Sequence, residues 1–169
     1  MHSKTLIIAL GVPAGLFKML DGTTEGQVMY GNEVWHLTPD EYDQWNAVRL
    51  NPCSMDMATP RARKLLEDRA LYLYDPITPD AVFMQNHRLA PMGHPIGPSS
   101  QSPGQYQIVS TNGRRALACD TAYAPIWLGW WRHRPLYQHS EAFSDQAVWD
   151  VIPWAVSQEL GYLVRWEDR

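Results

Sequence analysis

The sequence predicts an α+β protein of two tandem winged-helix-like units, each a β-hairpin, helices and a closing strand, packed together. Three observations carry that expectation. Tight turns at Gly31-Asn32 and Thr111-Asn112-Gly113 sit between strand-like runs. Each hairpin is followed by a helical pattern with a tryptophan at the same step, Thr38 to Trp45 and Asp120 to Trp127. Each unit then ends on a strand-like run, Ala70-Leu71-Tyr72-Leu73 or Gly161-Tyr162-Leu163-Val164. The expected bounds are 1–76 and 105–169, joined by a Pro/Gly/Ser-rich connector over 77–104.

Taken in order, the apolar run Leu6-Ile7-Ile8-Ala9-Leu10 is cut by Gly11 and Pro13. That is too short for a signal peptide and suits a buried strand. Gly26-Gln27-Val28-Met29-Tyr30 and Glu33-Val34-Trp35-His36-Leu37 form the first hairpin. Thr38-Pro39-Asp40-Glu41 then reads as a helix start: a capping threonine, a proline at the first helical position and a glutamate closing a capping box. Tyr42, Trp45 and Val48 give that helix one apolar stripe. Asn51-Pro52 stops it, and Thr59-Pro60 starts a second helix that runs to about Asp68. Ala81-Val82-Phe83-Met84 is expected as a strand beside one of the units.

In the second unit, Gln105-Tyr106-Gln107-Ile108-Val109 and Arg115-Ala116-Leu117-Ala118-Cys119 form the hairpin. Asp120-Thr121 starts a helix holding Tyr123, Ile126, Trp127 and Trp130, and Pro125 moves the true start one or two residues on. A loop is expected from Trp131 to Ser140. Ser144-Asp145 caps a last helix with the stripe Ala147, Val148, Val151, Ile152, Ala155 and Val156, interrupted by Pro153.

At 45% hydrophobic and 19% charged residues the chain can bury a core. A formal charge of −4 gives no global attraction to nucleic acid or an anionic membrane surface. No stretch approaches the roughly 20 apolar residues of a membrane-spanning helix, so the expectation is a cytoplasmic protein without membrane contact. Eleven arginines against three lysines suit a GC-rich bacterial genome. Cys53 and Cys119 lie outside any CxxC or zinc spacing and are expected as buried, reduced thiols.

Asp120-Thr121-Ala122 with Trp127, then Asp150-Val151-Ile152 and Leu160-Gly161-Tyr162-Leu163-Val164, resemble the PqqD-like family of RiPP recognition elements. The likeness covers about 105–166 and more faintly 26–75. It implies winged-helix-like domains in which a leader peptide adds as a strand to a sheet edge and packs on a helix. A tandem pair departs from the usual single domain.

Eight tryptophans and eight tyrosines against three phenylalanines point to an aromatic-lined groove or an aromatic core. The candidate residues for a peptide, protein or small aromatic ligand are Trp127, Trp130, Trp131, Tyr123, Trp45 and Arg132. Arg61, Arg63, Lys64 and Arg69 cluster on the second helix and are the candidates for an anion or for DNA, as in a winged-helix regulator. The last helix carries Asp145, Asp150 and Glu159 instead, which argues against DNA reading by both units. Arg132-His133-Arg134 with His139 forms a second basic patch beside Trp130 and Trp131. His36, Cys53, His87 and His94 have no ligand spacing, so neither a metal nor a cofactor is expected. No P-loop, G-x-S-x-G, G-x-G-x-x-G or H-E-x-x-H occurs, and Gly93-His94-Pro95-Ile96-Gly97 matches no catalytic motif. The function expected is therefore non-catalytic binding in natural-product biosynthesis, with DNA-binding regulation and an enzyme lacking a known motif as alternatives.

Overall fold

The computed structural model describes residues 4–167, so the first three and last two positions of the expected units lie outside it. The first run of elements is β1 (Leu6–Ala9), β2 (Val12–Lys18), β3 (Thr24–Tyr30), β4 (Glu33–Leu37), α1 (Pro39–Leu50), β5 (Cys53–Ser54), α2 (Pro60–Glu67) and β6 (Leu71–Tyr74). The second is α3 (Ala81–Asn86), β7 (His87–Pro91), β8 (His94–Pro98), β9 (Gln105–Val109), β10 (Arg115–Cys119), α4 (Tyr123–Gly129), α5 (Leu136–His139), α6 (Asp145–Ser157) and β11 (Gly161–Arg165). The fold is α+β, with several small antiparallel sheets in the orders β5-β1-β6, β2-β3-β4, β8-β9-β10 and β7-β11.

Helix starts follow from local chemistry. The Thr38 hydroxyl accepts from the Glu41 amide at 3.2 Å and turns its proton toward the Glu41 carboxylate, so one orphan donor at the start of α1 finds a partner. Thr59 caps α2 through the Ala62 amide, and Ser144 caps α6 through the Ala147 amide. The two-residue turn Gly31-Asn32 pairs Tyr30 with Glu33 across the hairpin, as its sequence predicts. α4 begins at Tyr123 after Ala122, with no side-chain cap, so Asp120 and Thr121 lie ahead of it as Pro125 requires.

The strands do the long-range work. β1 is central in its sheet and buried on both faces. Strand alternation sends Ile7 and Ala9 into one core with Val28, Trp45, Val48 and Leu65, and Ile8 and Leu10 into the other with Trp127, Trp149, Ile152 and Leu163. One short strand is thus the wall between two cores. The Gly11 amide donates to the Leu163 carbonyl at 2.7 Å and ties the end of that wall to β11.

A second correspondence concerns β2 and β8. Both open on Gly-X-Pro-X-Gly, Gly11 to Gly15 and Gly93 to Gly97, and both shift register against the next strand between the proline and the second glycine. Proline cannot donate to a ladder, so each strand bulges there. Gly11 and Gly93 have φ of 94° and 100°, and a Cβ at either would fall within 3.0 Å of a carbonyl oxygen.

Four expectations change. The stretch 77–104, read as a connector, carries α3, β7 and β8. Ala81-Val82-Phe83-Met84 is helical, because the Asp80 carboxylate caps it through the Phe83 amide. The loop from Trp131 to Ser140 contains the helix α5. Cys53 and Cys119 are free thiols, half-buried where full burial was expected. Among the described residues no helix is long and apolar enough to cross a membrane.

Candidate functional site

The aromatic residues singled out from the sequence separate into two classes. Trp45, Trp127 and Trp130 are at most 1% exposed and sit inside the cores, so no ligand reaches them while the fold is closed. Trp45 and Trp127 spend their indole protons on the carbonyls of Leu10 and Leu160, at 3.0 and 2.8 Å. Their role is to lock α1 and α4 onto the strands. Trp131 is exposed, with its ring edge-on to Trp127, Tyr123 leans on Trp154, and Arg132 is exposed nearby. These six residues do not converge on one groove.

The basic helix also resolves. Arg61 pairs with Asp40 at 3.0 Å, and Lys64 with Glu41 and Asp68 at 3.6 and 4.0 Å. Arg63 donates to the carbonyls of Ala58 and Met55. Carboxylates of α1 thus face the cations of α2. Arg69 is apart from them, held at φ 61° past the end of α2, where it reaches a cleft.

That cleft, of about 760 Å3, is the candidate site. The hairpin β3–β4 gives Tyr30 and Trp35, stacked at 4.6 Å between centroids. β6 supplies Tyr72, whose neighbours Leu71 and Leu73 also line the wall. α3 and the start of β7 supply Phe83 and His87, stacked at 3.8 Å, and Tyr72 lies 4.1 Å from Phe83. Glu33, Asp68, Asp80, Arg69 and Arg165 add charge at its edges, with Glu33 and Arg165 paired at 3.7 Å.

The hydrogen bonds of this wall are determined by what each atom can do. His87 Nδ1 lies 2.9 Å from the Phe83 carbonyl, which only accepts, so Nδ1 carries the proton. Nε2 is then the acceptor for the Tyr30 hydroxyl. Burial holds the imidazole neutral and pushes its pKa down to about 4. The Tyr72 hydroxyl donates to Asp80 at 2.7 Å, and burial together with that bond raises its pKa. Burial also raises that of Tyr30. Both phenol protons are committed inward, so the Tyr30 and Tyr72 oxygens are left with acceptor lone pairs.

Sequence reasoning named Arg69 from this set for a different purpose, weighed His87 only as a metal ligand flanking the connector, and passed over Tyr30, Trp35, Tyr72 and Phe83 as binding residues. A signal for the fold that builds the cleft was present: Gly11 to Gly93 and Trp45 to Trp127 are the same 82-residue step. Aligning on that step places β7 opposite β1 and turns the connector into structure.

Among the described residues, no group of three or more His, Cys, Asp or Glu is placed to hold a metal ion. No family model, no curated protein and no solved structure matches the chain.

Proposed function

We propose that this is a non-catalytic cytoplasmic binding protein of two winged-helix-like units, and that the cleft against α3 holds a small planar aromatic ligand bearing N–H or O–H donors. The observation that carries the reading is the wall itself. Five rings line a volume of about 760 Å3, within the roughly 300–1,000 Å3 typical of small-molecule sites. Rings favour a flat, apolar body by stacking. With their own protons committed to His87 and Asp80, the Tyr30 and Tyr72 oxygens are left as acceptors, and they favour a ligand with donors, because one with acceptors alone leaves those lone pairs unmatched.

Binding is favoured over catalysis by the titration behaviour. A general acid or base works best with a pKa near the operating pH. His87 is pushed down to about 4, while Tyr30 and Tyr72 are pushed up, away from neutrality. The resemblance to PqqD-like elements supports natural-product biosynthesis as the setting. It also supplies the rival ligand, a peptide added to a sheet edge, which would leave the cleft empty.

Calorimetric titration with indole and with benzofuran, its isostere without the N–H, tests the reading. Indole is expected to bind about tenfold more tightly. Val82→Trp, at a position 67% exposed on the cleft mouth, is expected to abolish that binding while the protein stays folded. Equal affinity for the two probes, or full affinity in Val82→Trp, overturns the proposal. So does a duplex DNA or peptide ligand whose binding is indifferent to Val82→Trp.

A further inference from the structure

A second cavity, of about 420 Å3, opens between α4, the segment after it and α5. Arg132 and Arg134 line it from either side of His133, whose φ of 51° turns the chain there. Neither guanidinium has an ion pair or hydrogen bond among the described residues; the pKa of neighbouring His139 is lowered chiefly by burial, with a smaller push from both cations. Two guanidiniums lining one cavity can both give charge-assisted hydrogen bonds to an anion placed there.

Two further observations point the same way. His139 lines the cavity, is only 6% exposed, and its Nε2 is buried without a hydrogen-bond partner. Buried polar atoms are rarely left unpaired. The rest of the lining includes Leu128 and Phe143, an apolar surface beside the cations. The Glu141 carboxylate shares the cavity yet lies beyond ion-pair distance of both arginines.

We propose that this cavity binds a small organic carboxylate, with Arg132 and Arg134 clasping the charged group and Leu128 and Phe143 holding the apolar body. The proposal is independent of the aromatic cleft. Glu141 opposes the ligand and limits its affinity.

The test uses the full chain carrying Val82→Trp, so that the first cleft is blocked, and follows benzoate, benzyl alcohol and sulfate by NMR shifts and calorimetry. Benzoate is expected to bind most tightly, since benzyl alcohol lacks the charge and sulfate lacks the apolar body. Arg132→Gln with Arg134→Gln is expected to weaken benzoate tenfold or more, by the loss of charge-assisted hydrogen bonds. Both side chains are exposed, so the double variant is expected to fold. Glu141→Gln is expected to tighten benzoate about threefold by removing a like charge, an effect that general damage to the fold does not imitate. Benzyl alcohol matching benzoate, the double variant binding as the parent does, or no benzoate binding at about 10 mM overturns the proposal.

Discussion

The two runs of elements share a skeleton and differ in what their last helix does. In the first run, β1 pairs with β6 around the meander β2-β3-β4. In the second, β7 pairs with β11 around β8-β9-β10. Trp45 of α1 and Trp127 of α4 are equally buried. The chain then diverges. α2 has eight residues and buries only Ala62 and Leu65, with its cations outward on carboxylates. α6 has thirteen and buries Val148, Trp149, Val151, Ile152, Ala155 and Val156. The second run therefore owns the larger core, and the first lends it Ile8, Leu10 and Tyr74. One skeleton serves as centre in one case and as cover in the other, and the aromatic cleft lies where cover meets centre.

The largest expected effect tests that ranking. Trp149 is fully buried, stacks on Tyr74 at 4.7 Å and donates to the Asp75 carbonyl at 2.6 Å. It joins α6 to the end of the first run. Trp149→Ala is expected to cost about 3–5 kcal/mol in urea unfolding. Leu65→Ala, the best-buried position of α2, is expected to cost less, about 2–3 kcal/mol. If Leu65→Ala costs as much as Trp149→Ala, the first run is no mere cover and the comparison breaks.

What could be read from the sequence follows the same divide. Caps at Thr38, Thr59 and Ser144 and the turn at Gly31-Asn32 were legible because a few adjacent residues encode them. The pairing of β1 with β6, or β7 with β11, was not, since neither strand advertises its distant partner. Prolines and glycines around Pro91, Gly93, Pro95 and Gly97 read as connector, yet here they make a bulged strand. The tryptophans read as a groove because abundance says nothing about burial; the indole donors of Trp45 and Trp127 proved to be spent on backbone carbonyls. The cleft was least legible of all, being assembled from β3–β4, β6 and α3–β7.

A second asymmetry is the acid response. The place that His87 takes at the head of β7 is held in the first run by Thr5, 82 positions earlier, which does not titrate. Burial lowers the His87 pKa from 6.5 to about 4. The unfolded chain then binds the proton more readily, so stability is full above pH 6.5 and falls as pH drops through the window from 6.5 to about 4. A loss of roughly 3 kcal/mol is expected across that window. His139, also lowered by burial, adds to the loss. His87→Phe is expected to flatten most of the profile of Tm against pH, and an unchanged profile would show that His87 is not buried and neutral.

Gly11 and Gly93 sharpen the comparison within the shared skeleton. At Gly93 an added Cβ meets the Val109 carbonyl oxygen at 2.5 Å, a backbone atom inside a paired strand. At Gly11 its nearest neighbour is the Val28 side chain, and the Met29 carbonyl oxygen is farther, at 2.9 Å. Both positions also require left-handed backbone. Alanine is expected to cost about 1–3 kcal/mol at each, with Gly93→Ala at the upper end because its obstacle cannot rotate away. Equal losses in urea unfolding would mean the two bulges are held with the same tightness.

The smallest expected effect lies in the helix starts. Thr38 caps α1 through the Glu41 amide, while Ala122 offers α4 no side-chain cap. Thr38→Ala is expected to cost about 1 kcal/mol. The converse change, Ala122→Ser, does not recover as much, because Ala122 sits at φ −132°, ψ −76° rather than in the extended geometry a cap needs. A gain of at most about 0.5 kcal/mol is expected there. The difference between the two substitutions separates two explanations of the missing cap. A gain near 1 kcal/mol would mean that only the side chain is lacking in the second run. A smaller gain places the cause in the backbone, where Pro125 and the turn after β10 set the path into α4 before any cap can form.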